Sequence, residues 1–261
     1  MPAQRRDGYP IAKTGHGPYG NYFHQPQVEE IKCLKDQMSQ ANKEINSDYE
    51  CLPVDFYEVT DTDSIEFEEA TRIYAESFPE NERRPIAAIN EMVNGGRGRL
   101  MVGKRENEIV LMSLLYPLAD KSCLLVDYLA TAKEHRSTGL GRAFLRHILD
   151  RTDDLQFNSI LIEIENPYLD DDDAKLKRLK FYKSLGMKEL QGVRYLLPPF
   201  QGDEPVELIL LIFSRDDADH LAGEAVRSLV IQLFGELYDR FEDDWFLTST
   251  LGSIPDFVPL I

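Results

Sequence analysis

The stretch LLVDYLATAKEHRSTGLGRAFLRHIL, residues 124–149, decides how this chain folds. Its opening residues are apolar and β-prone and read as a strand. Its last part places Leu140, Phe144, Leu145, Ile148 and Leu149 on one face of a helix running from Gly139 to Arg151. A short basic turn joins the two. Gly139 and Gly141 stand at the helix start, where the lack of a side chain lets backbone N–H groups approach an anion and the helix dipole adds to the attraction. Arg136 and Arg142 bracket the turn with positive charge, so the segment reads as a seat for a pyrophosphate. Glycines here also have an ordinary turn-forming role. The turn lacks the Lys-Ser/Thr end of a P-loop and the third glycine of a dinucleotide fingerprint, which disfavours ATP and NAD.

Working outward from this segment, strand and helix patterns alternate. Val54 to Thr60 reads as a strand, Ile65 to Phe78 as a helix stopped by Pro79, and Arg84 to Val93 as a second helix ended by Gly95 and Gly96. Gly98 to Lys104, Glu108 to Tyr116 and Ser122 to Thr131 are strands joined by turns short enough for antiparallel pairing. After the 139–151 helix come a strand at Asn158 to Glu165, a helix at Asp173 to Leu185 closed by Gly186, and strands at Lys188 to Leu197 and Val206 to Ser214. Such an order implies a mixed α/β (α+β) sheet with helices on both faces.

The chain divides by charge. Of 261 residues, 29 are Lys or Arg and 46 are Asp or Glu, a net charge of −17, which repels phosphate backbones and excludes nonspecific nucleic-acid binding. Residues 1–52 are polar and rich in Gly, Pro and Gln, with a helix-like stretch from Gln27 to Asn46, and are expected to form a partly disordered extension. Residues 53–213 hold the alternating pattern and a net charge of −9. Residues 214–261 carry −7 and open with an amphipathic helix, marked by Val226, Val230, Leu233, Leu237 and Phe241, that suits packing or a subunit contact such as a homodimer. No apolar run is long enough to span a membrane and no secretory leader is visible, so a cytoplasmic location is expected. Cys33, Cys51 and Cys123 fit neither a disulfide framework nor a zinc site.

The chain resembles the GCN5-related N-acetyltransferase (GNAT) superfamily, in which R/Q-x-x-G-x-G/A after the fourth strand holds the coenzyme A pyrophosphate. Here that motif is Arg136, Ser137, Thr138, Gly139, Leu140 and Gly141, and Phe181 to Met187 (FYKSLGM) resembles the FY-x-x-x-GF signature that follows. FPENERRP (Phe78 to Pro85) and EIENP (Glu163 to Pro167) also look like features of a bacterial branch. The resemblance covers about residues 53–213 and implies a mostly antiparallel sheet of about seven strands with a splay between strands 4 and 5. It implies acetyl-CoA as acyl donor and no metal. It also places the main chain of Leu129, Ala130 and Thr131 along the pantetheine, the amides of Ser137 to Arg142 on the pyrophosphate, and Tyr182 beside the thioester sulfur as a donor to the departing thiolate. Asn166 matches an asparagine that helps order the coenzyme, although the acidic insertion Tyr168 to Asp173 lengthens the usual spacing to Tyr182.

Acyl transfer to an amine needs a group that accepts the amine proton and a donor to the oxyanion. Three carboxylates are placed to be that base. Glu163 and Glu165 are two apart on the fifth strand and so share a face, and Asp127 lies on the fourth strand beside the splay. Leu161, Ile162 and Ile164 favour a partly desolvated Glu163 with raised proton affinity. Each carboxylate also has a plainer reading, a salt bridge for the glutamates and a local backbone bond for Asp127. Asp170 to Asp173 near the entrance favour a cationic acceptor, whereas Arg83 and Arg84 between the first two helices suit an acceptor carboxylate. The expected activity is acetyl-CoA-dependent N-acetylation of a primary amine on a small, cationic molecule. The alternatives are a non-catalytic acyl-CoA-binding module and a protein lysine acetyltransferase.

Overall fold

Capping and proline positions set the helices that flank the site. The computed structural model describes residues 54–120, 122–151, 157–198, 205–214 and 218–261. The expectations for the extension, its Gln27 to Asn46 stretch, Cys33 and Cys51 lie outside the described residues. After strand β1 (Asp55–Val59), the Ser64 side chain accepts from the Phe67 amide and starts α1 (Ile65–Ser77), with Glu66 and Glu68 in its positive first turn. Phe78 precedes Pro79, is extended, and ends the helix. Helix α2 (Ile86–Asn94) begins two residues later than its pattern suggests, because Arg84 precedes Pro85 and is disfavoured from helical geometry.

Strands β2 (Arg99–Arg105), β3 (Glu108–Pro117) and β4 (Cys123–Thr131) form an antiparallel meander beside β1. Helix α3 (Leu140–Asp150) then returns the chain to β5 (Ser159–Glu165), the one strand that pairs with β4 in parallel. Helix α4 (Asp173–Lys183) leads to β6 (Lys188–Glu189), β7 (Tyr195–Leu197) and β8 (Val206–Ser214). The sheet has eight strands in the order β1-β2-β3-β4-β5-β8-β6, with β7 also on β8. The strand expected over Lys188 to Leu197 is two short ones, because Gly192 adopts a left-handed φ of 82° between them.

The parallel pairing of β4 with β5 covers only Cys123 to Val126 against Ser159 to Ile162. Beyond it β5 continues along β8, and β4 stays with β3. The parting begins at a β-bulge: Leu114 faces Tyr128 and Leu115 faces Val126, so Asp127 is the extra residue that bends β4. This is the splay expected between strands 4 and 5.

Period-two alternation sends Ile160, Ile162 and Ile164 of β5 into the core under α3 and α4. Leu161 points the other way, into the core shared with α1 and α2. Helix α5 (Gly223–Tyr238) packs Val226, Val230, Leu233, Phe234 and Leu237 into that same core. Phe241 lies past the end of α5, where Asp239 turns left-handed at φ 53°, and it is exposed. Helix α6 (Trp245–Ser253) follows, and β10 (Phe257–Pro259) pairs with β9 (His220–Ala222).

Gly223 permits the closest backbone contact in this part. A Cβ there would lie 2.0 Å from the Pro255 carbonyl oxygen, which belongs to the main chain and cannot swing aside. Gly223→Ala is therefore expected to destabilise the fold by about 1–3 kcal/mol, read as a lower urea midpoint at an unchanged m-value. A midpoint equal to wild type would show that the contact between α5 and the loop before β10 yields without cost.

Candidate active site

The splay opens a cleft of about 750 Å³ whose walls are the parted ends of β4 and β5. One end is basic. Ser137 and Gly139 adopt positive φ values of 63° and 84°, which folds the turn back before Leu140 starts α3. The first helical hydrogen bond is from the Ala143 amide to the Gly139 carbonyl, so the amides of Leu140, Gly141 and Arg142 have no intrahelical acceptor. A Cβ on Gly139 would meet nothing within 4 Å, and one on Gly141 would reach only the Phe181 ring at 3.9 Å, so both glycines border open space. Arg136 donates to the Thr131 carbonyl (3.3 Å) and Ser77 Oγ (3.2 Å), while Arg142 lies against the Phe181 ring and donates to Ser184 Oγ (2.9 Å). Both guanidiniums are thereby steered to the rim of this end.

Leu129, Ala130 and Thr131 line the middle of the cleft. On one side they pair with Ser113, Met112 and Leu111 of β3, and on the other they have no β5 partner. Tyr182 of α4 is buried and lines the same stretch. Burial pushes its phenol above the ordinary value, so it stays protonated at neutral pH.

The opposite end is acidic, with Glu82, Asp127, Glu163, Glu165 and Asp172 all on its wall. The three candidate bases differ in their partners. Glu165 is paired with Arg178 and lies 4.0 Å from Lys175, both on α4. Asp127 receives the Arg84 guanidinium at 3.1 Å, and their side chains are only 5% and 9% exposed. Glu163 has no cationic partner within ion-pair distance among the described residues. Its Oε2 accepts from the Tyr238 hydroxyl (3.1 Å), and its Oε1 is buried without a hydrogen-bond partner. Desolvation pushes the Glu163 carboxyl up to about 7, with the neighbouring Tyr195 hydroxyl opposing this although it is not in hydrogen-bonding geometry. Glu82 is also raised, first by burial and then by the Glu165 charge.

Two expected site residues, Thr138 and Asn166, do not line the cleft. Thr138 donates to the His135 carbonyl (2.6 Å) and braces the turn from behind. Asn166 is engaged with Glu207 at 2.9 Å and the Tyr168 amide, next to the acidic insertion. The run of aspartates is partly structural, since Asp172 caps α4 at the Ala174 amide and Asp170 pairs with Lys175 at 2.6 Å. Arg83 donates to the Ala75 carbonyl and Arg84 to Asp127 and the Leu237 carbonyl, so both arginines are committed to the fold. Tyr195 and Tyr238 were not readable as site residues, because their strand and helix carry only core periodicity. Cys123 is buried in the sheet, which pushes its thiol up and keeps it unreactive.

Among the described residues there is no group of three or more His, Cys, Asp or Glu able to hold a metal ion, and no helix long and apolar enough to cross a membrane. The profile of the acetyltransferase (GNAT) family matches residues 66–187. No curated protein matches the chain in sequence. A solved acetyltransferase of the GNAT family from Bacteroides thetaiotaomicron shares 20% identity with a TM-score of 0.60, covering 71% of this chain and 99% of that one. The ribosomal-protein-S18-alanine N-acetyltransferase from Escherichia coli shares 17% identity over 64% of this chain and 96% of that one, with a TM-score of 0.47. An Elizabethkingia anophelis GNAT acetyltransferase, solved with acetyl-CoA bound, shares 17% over 62% and 97%, with a TM-score of 0.44. Residues 66–187, on a mixed sheet splayed between β4 and β5, therefore carry a domain of the acetyltransferase (GNAT) family.

Proposed function

We propose that this N-acetyltransferase moves the acetyl group of acetyl-CoA to a primary amine on a small cationic molecule. The observation that carries the reading is the polarity of the cleft, an anion seat at one end and a buried, raised-affinity carboxylate at the other. Bound acetyl-CoA supplies an activated acetyl thioester. The amides of Leu140, Gly141 and Arg142 and the guanidiniums of Arg136 and Arg142 would hold its pyrophosphate, and the open space above Gly139 fits such an anion. The free edge of β4 at Leu129, Ala130 and Thr131 would hydrogen-bond the pantetheine arm and offer an N–H to the developing oxyanion.

Glu163 would take the amine proton. A carboxyl titrating near 7 is ionised often enough at neutral pH to accept a proton and basic enough to hold it. Tyr182, kept protonated by burial, would return a proton to the departing thiolate. Asp127 would serve the fold as the counter-ion of Arg84, Glu165 is paired with Arg178, and Glu82 would add negative potential at the acceptor end. With Arg83 and Arg84 engaged elsewhere, the acidic wall supports a cationic acceptor over one carrying a carboxylate.

Release of free thiol from acetyl-CoA with a panel of amines tests the reading. Turnover with free di- and polyamines, and none with lysine peptides, is expected. Stabilisation by acetyl-CoA without thiol release from any amine would leave a binding module, and no thermal shift by acetyl-CoA would overturn the cofactor itself. Gly139→Asp places a carboxylate at the anion seat. Its acetyl-CoA Kd is expected to rise at least about tenfold by calorimetry. Unchanged affinity would refute the assignment of the turn.

A further inference from the structure

The C-terminal helix α5 lies outside the segment matched by the family profile, yet its last residue enters the cleft. Tyr238 donates its hydroxyl to Glu163 Oε2 at 3.1 Å, from 75 residues away in sequence. Its ring packs edge-on to Phe234, with centroids 5.7 Å apart, and Arg84 covers it with Cζ 5.5 Å from the ring centroid. The same Arg84 donates to the carbonyl of Leu237 at 2.9 Å, one of the terminal helix carbonyls that lack an intrahelical donor, and is itself fixed by Asp127 at 3.1 Å. Four separate parts of the chain therefore converge on one carboxylate: the loop before α2, the bulge of β4, strand β5 and the end of α5.

We propose that Tyr238 is a positioning residue for Glu163, holding the carboxylate toward the cleft through its hydroxyl, with the Arg84–Asp127 pair anchoring the helix end that carries it. The inference rests on Glu163 being the base. A donor to Oε2 favours the ionised carboxylate, and it leaves Oε1 as the oxygen without a protein partner. The other groups facing Glu163 act around this bond. Burial first, and then Asp127, raise its proton affinity, and Tyr195, Tyr238 and Arg84 lower it. Glu82 and Glu165 lie on the same cleft wall, Glu165 being held by Arg178.

Tyr238→Phe removes the hydroxyl and keeps the ring between Phe234 and Arg84. In protein labelled with 13C at the glutamate carboxyl, with the resonance assigned by its loss in Glu163→Gln, the protonation midpoint of Glu163 is expected to rise by about one pH unit in Tyr238→Phe. A midpoint within 0.2 pH units of wild type would overturn the proposal. In activity, compared with wild type on the same amine so that the amine's own ionisation cancels, the acid limb of kcat/KM should move up by the same amount. That is a fall of about tenfold at pH 6, with little change above pH 9 and with acetyl-CoA affinity unaltered. A lowered plateau with an unmoved acid limb would mean that Tyr238 only packs, and would also overturn it. If wild type releases no thiol with any amine, the proposed function fails, and the carbon-13 titration still decides the role of Tyr238 separately.

Discussion

Glu163→Gln is expected to lower kcat/KM by about 10²–10⁴-fold while leaving acetyl-CoA affinity within a factor of two. Glutamine keeps the shape and can still accept from Tyr238, but it cannot take a proton. The basic end of the cleft is untouched by the change. The same variant is expected to gain stability at pH 8. The folded-state pKa of Glu163, about 7, lies above its unfolded value near 4.3, so its contribution to stability is full below about pH 4 and is lost as pH rises through 7. Above that, the wild type holds a desolvated charge that the variant lacks. The variant's advantage should be on the order of 3 kcal/mol at pH 8, fall to about 1 kcal/mol at pH 5 and vanish below about pH 4, read by urea unfolding across this range. Wild-type turnover in Glu163→Gln would remove Glu163 from the mechanism, and equal stability at pH 8 would show that its charge is not buried.

Arg84→Met carries the largest expected loss of stability, about 3–5 kcal/mol. Removing the guanidinium leaves Asp127, 5% exposed, without its counter-ion, and takes the donor from the Leu237 carbonyl. Burial already pushes the Asp127 carboxyl up, and without Arg84 opposing this it rises further. The cost should therefore fall as pH is lowered and the acid takes up a proton. The double variant Arg84→Met with Asp127→Leu should recover a large part of the loss, because no buried charge then remains unpaired. A single-variant loss below about 1 kcal/mol, or no recovery in the double variant, would show that the pair is not the anchor described here.

The elements around the proposed coenzyme seat were legible because they depend on local chain properties. Glycine at a left-handed helix start, arginines bracketing it, and a stripe of apolar residues at helical spacing are all written within residues 124–149. The two-residue period of β5 likewise put Glu163 and Glu165 on one face without knowledge of its neighbours. Where local signals were weaker, boundaries moved. Pro85 delayed α2, Gly192 split a strand into β6 and β7, and Asp239 ended α5 before Phe241.

By itself the sequence determined the mixed order of strands and helices, the basic glycine-containing turn and a short set of carboxylates, since each follows from backbone chemistry or side-chain period over a few neighbouring residues, while the splay was implied by the family resemblance. Only the tertiary structure told those carboxylates apart by their partners. Glu165 is neutralised from α4, Asp127 by an arginine 43 residues before it, and Glu163 is met by a tyrosine at the end of a helix that reads as packing alone. A carboxylate's proton affinity is set by the charges and low-dielectric surface packed around it, and here those come from distant parts of the chain.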